Sequence, residues 1–236
     1  MKTLLTAYWT NLLTATYEAD KTLLNKYLPP KTELNTWNGK YLLSIVAFMF
    51  SNPTVLNIPV PFYRSFEEIN LRFYVRYKEK DTWKNGVVFI KEIAPARIVG
   101  LAAAWLYNEN FISLPLKHLF RKDKDYRYIN YACRMKNQWG HLSMICSTKN
   151  TEPDSGSIEA FIRDHYWGYT KKNQTQTAEF LIEHPRWKIY KAIEYEQSIR
   201  VGEIYGAEFT TYFQRPPVSI FLMDGSFTKV SWPALL

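Results

Sequence analysis

The chain has 236 residues, 47% of them apolar and 22% charged, a balance that excludes intrinsic disorder, a collagen-like repeat and a coiled coil. Its 30 Lys and Arg against 22 Asp and Glu give a net charge of +8, enough to attract anions without defining a nucleic-acid site. No stretch approaches the roughly 18 apolar residues of a membrane span, so the expectation is one domain over residues 1–236, cytoplasmic and away from the membrane. The aromatic content of 17% favours strands, where rings pack on a pleated surface.

Met1 to Trp9 loosely imitates a secretory leader, but Thr10, Asn11 and Thr14 interrupt its apolar run. Asp20 followed by Leu23, Leu24, Tyr27 and Leu28, with Pro29-Pro30 as a stop, predicts a short helix. Tyr41 to Phe50 is nearly continuous in apolar residues and reads as a strand buried on both faces. Pro53, Pro59 and Pro61 then predict a loop. From Glu68 to Tyr77 the chain alternates, with Glu68, Asn70, Arg72, Tyr74 and Arg76 on one face and Ile69, Leu71, Phe73, Val75 and Tyr77 on the other. Asn85-Gly86 reads as the turn into a partner strand, Val87 to Ile90.

Pro95 opens a predicted helix over Ala96 to Leu106, rich in alanine. A basic stretch, Lys117 to Lys124, precedes a second hairpin made of Tyr126 to Lys136 and Trp139 to Ser147. Cys133 and Cys146 could face each other across it, yet two cysteines outside any C-x-x-C pair suit reduced thiols in a reducing compartment. Thr148 to Ser157 is a surface loop by composition, and short apolar runs follow at Phe180 to Ile182, Ile189 to Ile193, Phe209 to Phe213 and Val218 to Met223. Strands in series without β-α-β alternation predict an α+β, mainly antiparallel β fold.

No Walker loop, dinucleotide fingerprint, H-E-x-x-H helix or G-x-S-x-G elbow occurs. His118, His141, His165 and His184 are scattered without metal-ligand spacing, so neither a metal nor a cofactor is expected. Arg121, Lys122, Lys124 and Arg127 are interrupted by Asp123 and Asp125, a solvated hairpin face rather than a phosphate track.

Several motifs carry a resemblance. They are Trp9, Leu28-Pro29, Trp37-Asn38-Gly39-Lys40-Tyr41, and Phe66 to Val75, which fits the pattern F-x-E-x-N-x-R-x-Y-V. Ala96-Arg97, Leu114-Pro115, Asp164-His165-Tyr166 and His184-Pro185-Arg186-Trp187 follow in order. Together they resemble the YqjF-like family of uncharacterised bacterial proteins. That resemblance implies the fold of acetoacetate decarboxylase, an antiparallel sheet curled into a β-cone or barrel around a central cavity with a few short helices. In the decarboxylases a Schiff-base lysine stands beside a second lysine. Here Pro115-Leu116-Lys117-His118 is the nearest counterpart and lacks the second lysine.

An amine must lose its proton to attack a ketone, and a neighbouring cation or burial makes that feasible. Lys117 is therefore the candidate nucleophile, against the alternative of an ordinary solvated lysine. Period-two spacing sets Glu68, Asn70 and Arg72 on one face, where a polar row inside a barrel either meets a ligand or closes on itself as a paired network. His165, Tyr166, His184 and Trp187 are candidate ligand contacts, or core and rim aromatics with one polar handle. The leading expectation is a small-molecule binder for an anionic, carboxylate-bearing ligand. The rivals are a keto-acid lyase acting through Lys117 and a basic nucleic-acid-binding module.

Overall fold

A computed structural model describes residues 1–62, 64–96 and 111–236. Fifteen strands form one sheet in these residues: β1 (Thr3–Ala19), β2 (Glu33–Leu34), β3 (Tyr41–Val55), β4 (Ile58–Pro59), β5 (Ser65–Glu79), β6 (Thr82–Ala94), β7 (Phe111–Ser113) and β8 (Leu116–Lys122), then β9 (Tyr126–Met135), β10 (Gln138–Ser147), β11 (Trp167–Lys171), β12 (Thr177–Glu183), β13 (Ile189–Gln197), β14 (Ser219–Ser231) and β15 (Ala234–Leu235). The described helices are short: α1 (Lys21–Asn25), α2 (Ile158–Arg163), α3 (Val201–Ile204) and α4 (Thr210–Phe213). The helix expected over Ala96 to Leu106 lies, beyond Ala96, outside the described residues.

Seven strands close into a ring, β12-β11-β6-β5-β3-β1-β14, completed where Ile182 and Glu183 of β12 pair with Val230 and Lys229 of β14. Nearly all pairings are antiparallel, but β11 meets β6 in parallel through Trp167↔Gly86 and Gly168↔Val87. From β14 the sheet continues through β13, β10, β9 and β8, an apron folded over the outer wall of the ring. Closure leaves the ring no unpaired edges, the weak point of an open antiparallel sheet.

Alternation along each strand divides the apolar residues between two cores. On β5, Ile69, Leu71, Phe73 and Val75 face outward onto β9, β10, α3 and α4, joining Tyr131, Leu142, Met144 and Phe209. Phe66 and Tyr74 face inward with Phe48, Phe50 and Leu12. On β1 the parity changes: Ala7 and Trp9 point inward, and after Asn11 so does Leu12. Asn11 adopts φ 53° at a register break against β3, an inserted residue that re-aims every side chain beyond it. The apron braces this bulge, since the Tyr131 hydroxyl donates to the Asn11 carbonyl (2.9 Å) and Arg127 donates to its Oδ1 (2.7 Å).

Three local expectations are corrected, and the basic stretch gains an assignment. The β5–β6 turn falls at Lys80-Asp81, with Lys80 at φ 53°, and Asn85-Gly86 lies inside β6. Gly86 serves close approach: a Cβ there would stand 2.5 Å from the Trp167 carbonyl oxygen of the parallel neighbour. β3 runs on through Pro53, after a bulge at Asn52 (φ 49°), to pair with β4. The basic stretch after Pro115 is strand β8, paired along β9. Phe209 to Phe213 is helical, with Phe209 buried in the outer core.

The hairpin register sets Cys133 against Gly140 and Cys146 against Arg127, so the two do not face each other. Both are free, buried thiols, and burial raises their pKa, Cys133 to about 11. A high pKa and no solvent access suppress thiolate chemistry. The native protein is expected to resist a thiol reagent and to release two titratable thiols on denaturation without reductant. A titre of zero after denaturation would contradict this.

Candidate functional site

The ring encloses a cavity of about 130 Å³ to which all seven of its strands contribute. Its wall is mostly apolar, built from Trp9, Leu12, Phe48, Phe50, Phe66 and Phe180 among others. Rings pack on one another around it, with Phe50 stacked on Phe66 at 4.7 Å and Trp9 tilted against Phe48 at 5.0 Å. Into this wall the polar face of β5 projects Glu68, Asn70 and Arg72, joined by Glu92 of β6, which pairs opposite Asn70.

Glu68 and Asn70 are 5% and 1% exposed. The Asn70 Nδ2 donates to Glu68 Oε1 at 3.1 Å. The Glu68 and Glu92 carboxyls hydrogen-bond each other, which requires a proton between them. Burial raises both pKa values, Glu68 to about 7, and hydrogen bonds with Asn70 and Glu92, then the Arg72 charge, pull Glu68 part of the way back. The two carboxyls therefore titrate as one unit that keeps a proton near neutral pH.

Native interiors leave few polar groups without partners. Among the described residues, three buried side-chain atoms with no hydrogen-bond partner belong to residues of this cavity wall: Trp9 Nε1, Asn70 Oδ1 and Arg72 Nε. Arg72 is half-buried and makes no ion pair with any described residue. Two unpartnered donors and one unpartnered acceptor thus belong to residues of an otherwise apolar wall.

The other candidates lie around this core. His165 is buried, donates from Nδ1 to the Phe161 carbonyl (2.6 Å) and accepts from Asn35 at Nε2 (3.1 Å). Burial pushes its pKa down to about 3, and nearby Arg72 adds to that. It packs edge-on to Tyr74 and Phe161 rather than lining the cavity. His184 stacks on Trp187 at 3.7 Å and is likewise held neutral, with a pKa near 4 lowered by burial and by Arg72. Trp187 donates to Ser226 Oγ at 2.8 Å, and its ring lies 6.4 Å from that of Trp9. The Tyr166 hydroxyl donates to Asp164 at 3.4 Å. None of these four lines the cavity, and Trp187 packs in the inner core with its wall residues.

Lys117 stands elsewhere, exposed on β8 with Nζ 4.0 Å from the centroid of the Trp139 ring. Its neighbour His118 pairs with Glu67 at 2.6 Å. No described lysine lines the cavity, and among the described residues no three His, Cys, Asp or Glu converge as a metal centre. No helix of the described residues is long and apolar enough to cross a membrane. Glu92 is the site residue that sequence patterning misses, because a turn placed at Asn85-Gly86 gives β6 a register in which Glu92 never meets Asn70.

The fold is similar to that of acetoacetate decarboxylase-like proteins. Acetoacetate decarboxylase from Legionella pneumophila superposes with a TM-score of 0.67 over 100% of this chain and 88% of that one, at 12% identity. MppR, an enduracididine biosynthesis enzyme complexed with pyruvate, superposes with a TM-score of 0.63 over 100% and 91%, at 9% identity. Residues 6–226 match DUF2071, a family of uncharacterized conserved proteins, and the chain belongs to that family. The uncharacterized protein YqjF of Bacillus subtilis is 27% identical over 214 residues, spanning 89% of this chain and 84% of that relative.

Proposed function

We propose that the barrel binds a small organic acid, its carbon skeleton against the aromatic wall and its carboxylate on Arg72. The observation that carries this reading is an arginine with no ion-pair partner among the described residues and a buried, unbonded Nε, facing an apolar cavity. A guanidinium so placed matches a planar carboxylate through its forked donors. The volume suits a molecule of about the bulk of benzene. MppR, of similar fold, is described with pyruvate, a small carboxylate. Two buried free thiols are consistent with a reducing compartment, and we place the protein in the cytoplasm.

Calorimetric titration at pH 6 with short branched and aromatic carboxylic acids tests this reading. Arg72→Ala is expected to weaken the best binder by roughly 1.5 to 3 kcal/mol, the range for a hydrogen bond to a charged group. Arg72→Lys should recover part of that loss. Binding indifferent to both substitutions, or no acid binding at all, would refute it.

A further inference from the structure

We propose that the cavity selects a hydroxy acid over the oxo acid of the same carbon skeleton, an inference that rests on the small-acid reading above. It comes from the direction of hydrogen bonding at Asn70. The Asn70 amide spends a donor on Glu68 Oε1, at 3.1 Å. Its Oδ1 then remains as a buried acceptor without a partner in the cavity wall, on a residue 1% exposed.

A ligand carboxylate offers acceptors only. It can satisfy the donor Arg72 Nε but leaves Asn70 Oδ1 facing nothing that donates. Asn70 and Arg72 are two residues apart on one strand face, about 7 Å between Cα atoms, so their side chains can reach adjacent groups of one small molecule. A hydroxyl beside the carboxylate supplies the missing O–H to Asn70. A ketone oxygen in the same place sets acceptor against acceptor, and an unsubstituted methylene leaves the buried acceptor without a partner, both costly for a desolvated group. A site built to bond a hydroxyl rejects analogues that lack it far more strongly than an apolar pocket rejects a lost methylene.

The test is calorimetry of the full chain with 2-hydroxy-3-methylbutanoate, 2-oxo-3-methylbutanoate and 3-methylbutanoate, in the wild type, Asn70→Leu and Arg72→Ala. The hydroxy acid is expected to bind the wild type at least tenfold more tightly than either analogue. In Asn70→Leu that advantage should vanish. If Asn70→Leu fails to fold, the three wild-type affinities decide alone. Oxo or unsubstituted acid binding as tightly as the hydroxy acid, with Arg72→Ala still weakening all three, would overturn the selectivity and keep the acid reading. Failure of all three acids to bind, or indifference to Arg72→Ala, would overturn both.

Discussion

From pH 6.5 to pH 8 the folded protein should lose stability, and Glu68→Gln/Glu92→Gln should abolish that loss. The unfolded carboxyls ionise near 4.5, whereas in the barrel burial holds the pair protonated to about 7 and above. Over that interval the native state binds more protons than the unfolded state, so stability falls as pH rises. His165 and His184 act in the opposite sense. Their folded pKa values, near 3 and 4, lie below the unfolded 6.5, so they withdraw stability as pH falls through that range. The two effects oppose each other between about 4.5 and 6.5, and above 6.5 the carboxyls act alone.

The shift at Glu68 corresponds to about 3 kcal/mol at 1.36 kcal/mol per pH unit. Urea unfolding at pH 7, 7.5 and 8 should therefore show a progressive fall in the wild type. The double variant should be flat over the same points and about 3 kcal/mol more stable at pH 8. Its stability should instead fall steeply below pH 6.5, where only the histidines titrate. A wild-type profile flat from 6.5 to 8 would mean that the pair is ionised in the folded state, and the shared proton would have to be given up.

Strict alternation makes the polar wall of the site legible in the amino-acid sequence. Glu68, Asn70 and Arg72 cannot share a strand face with Leu71, Phe73 and Val75, and in a closed ring one face must look inward. What alternation does not carry is partner register. Glu92 depends on where the β5–β6 turn falls, and the Asn-Gly pair that signals a hairpin elsewhere is here set in mid-strand, where Gly86 admits the Trp167 backbone. Lys117 shows the converse. A motif position marks it as a nucleophile, but its strand lies in the apron, where the side chain rests on Trp139 in solvent. The parity change at Asn11, which turns Leu12 into the barrel, leaves no pattern in sequence beyond a broken alternation.

That bulge leads to the largest single-residue effect expected outside the site. Gly225→Ala should destabilise the fold by about 2 to 5 kcal/mol, the sum of a backbone penalty and a steric one. Gly225 lies opposite Thr10 on β14 at φ +79°, a left-handed conformation that costs any L side chain. A Cβ there would also be driven into the Trp9 carbonyl, and backbone yields far less readily than a side-chain tip. Gly39→Ala isolates the first penalty, because Gly39 has φ +77° and nothing within 4 Å of the added carbon. Urea unfolding should give a loss of about 1 kcal/mol for Gly39→Ala and several times that for Gly225→Ala. Because the displaced carbonyl belongs to Trp9, whose ring walls the cavity, the Gly225 variant should also bind the small acid more weakly at a temperature where it is still folded. Equal losses for the two glycines would mean that β1 gives way freely at Trp9, and the aromatic wall could not then be the rigid surface against which the ligand skeleton packs.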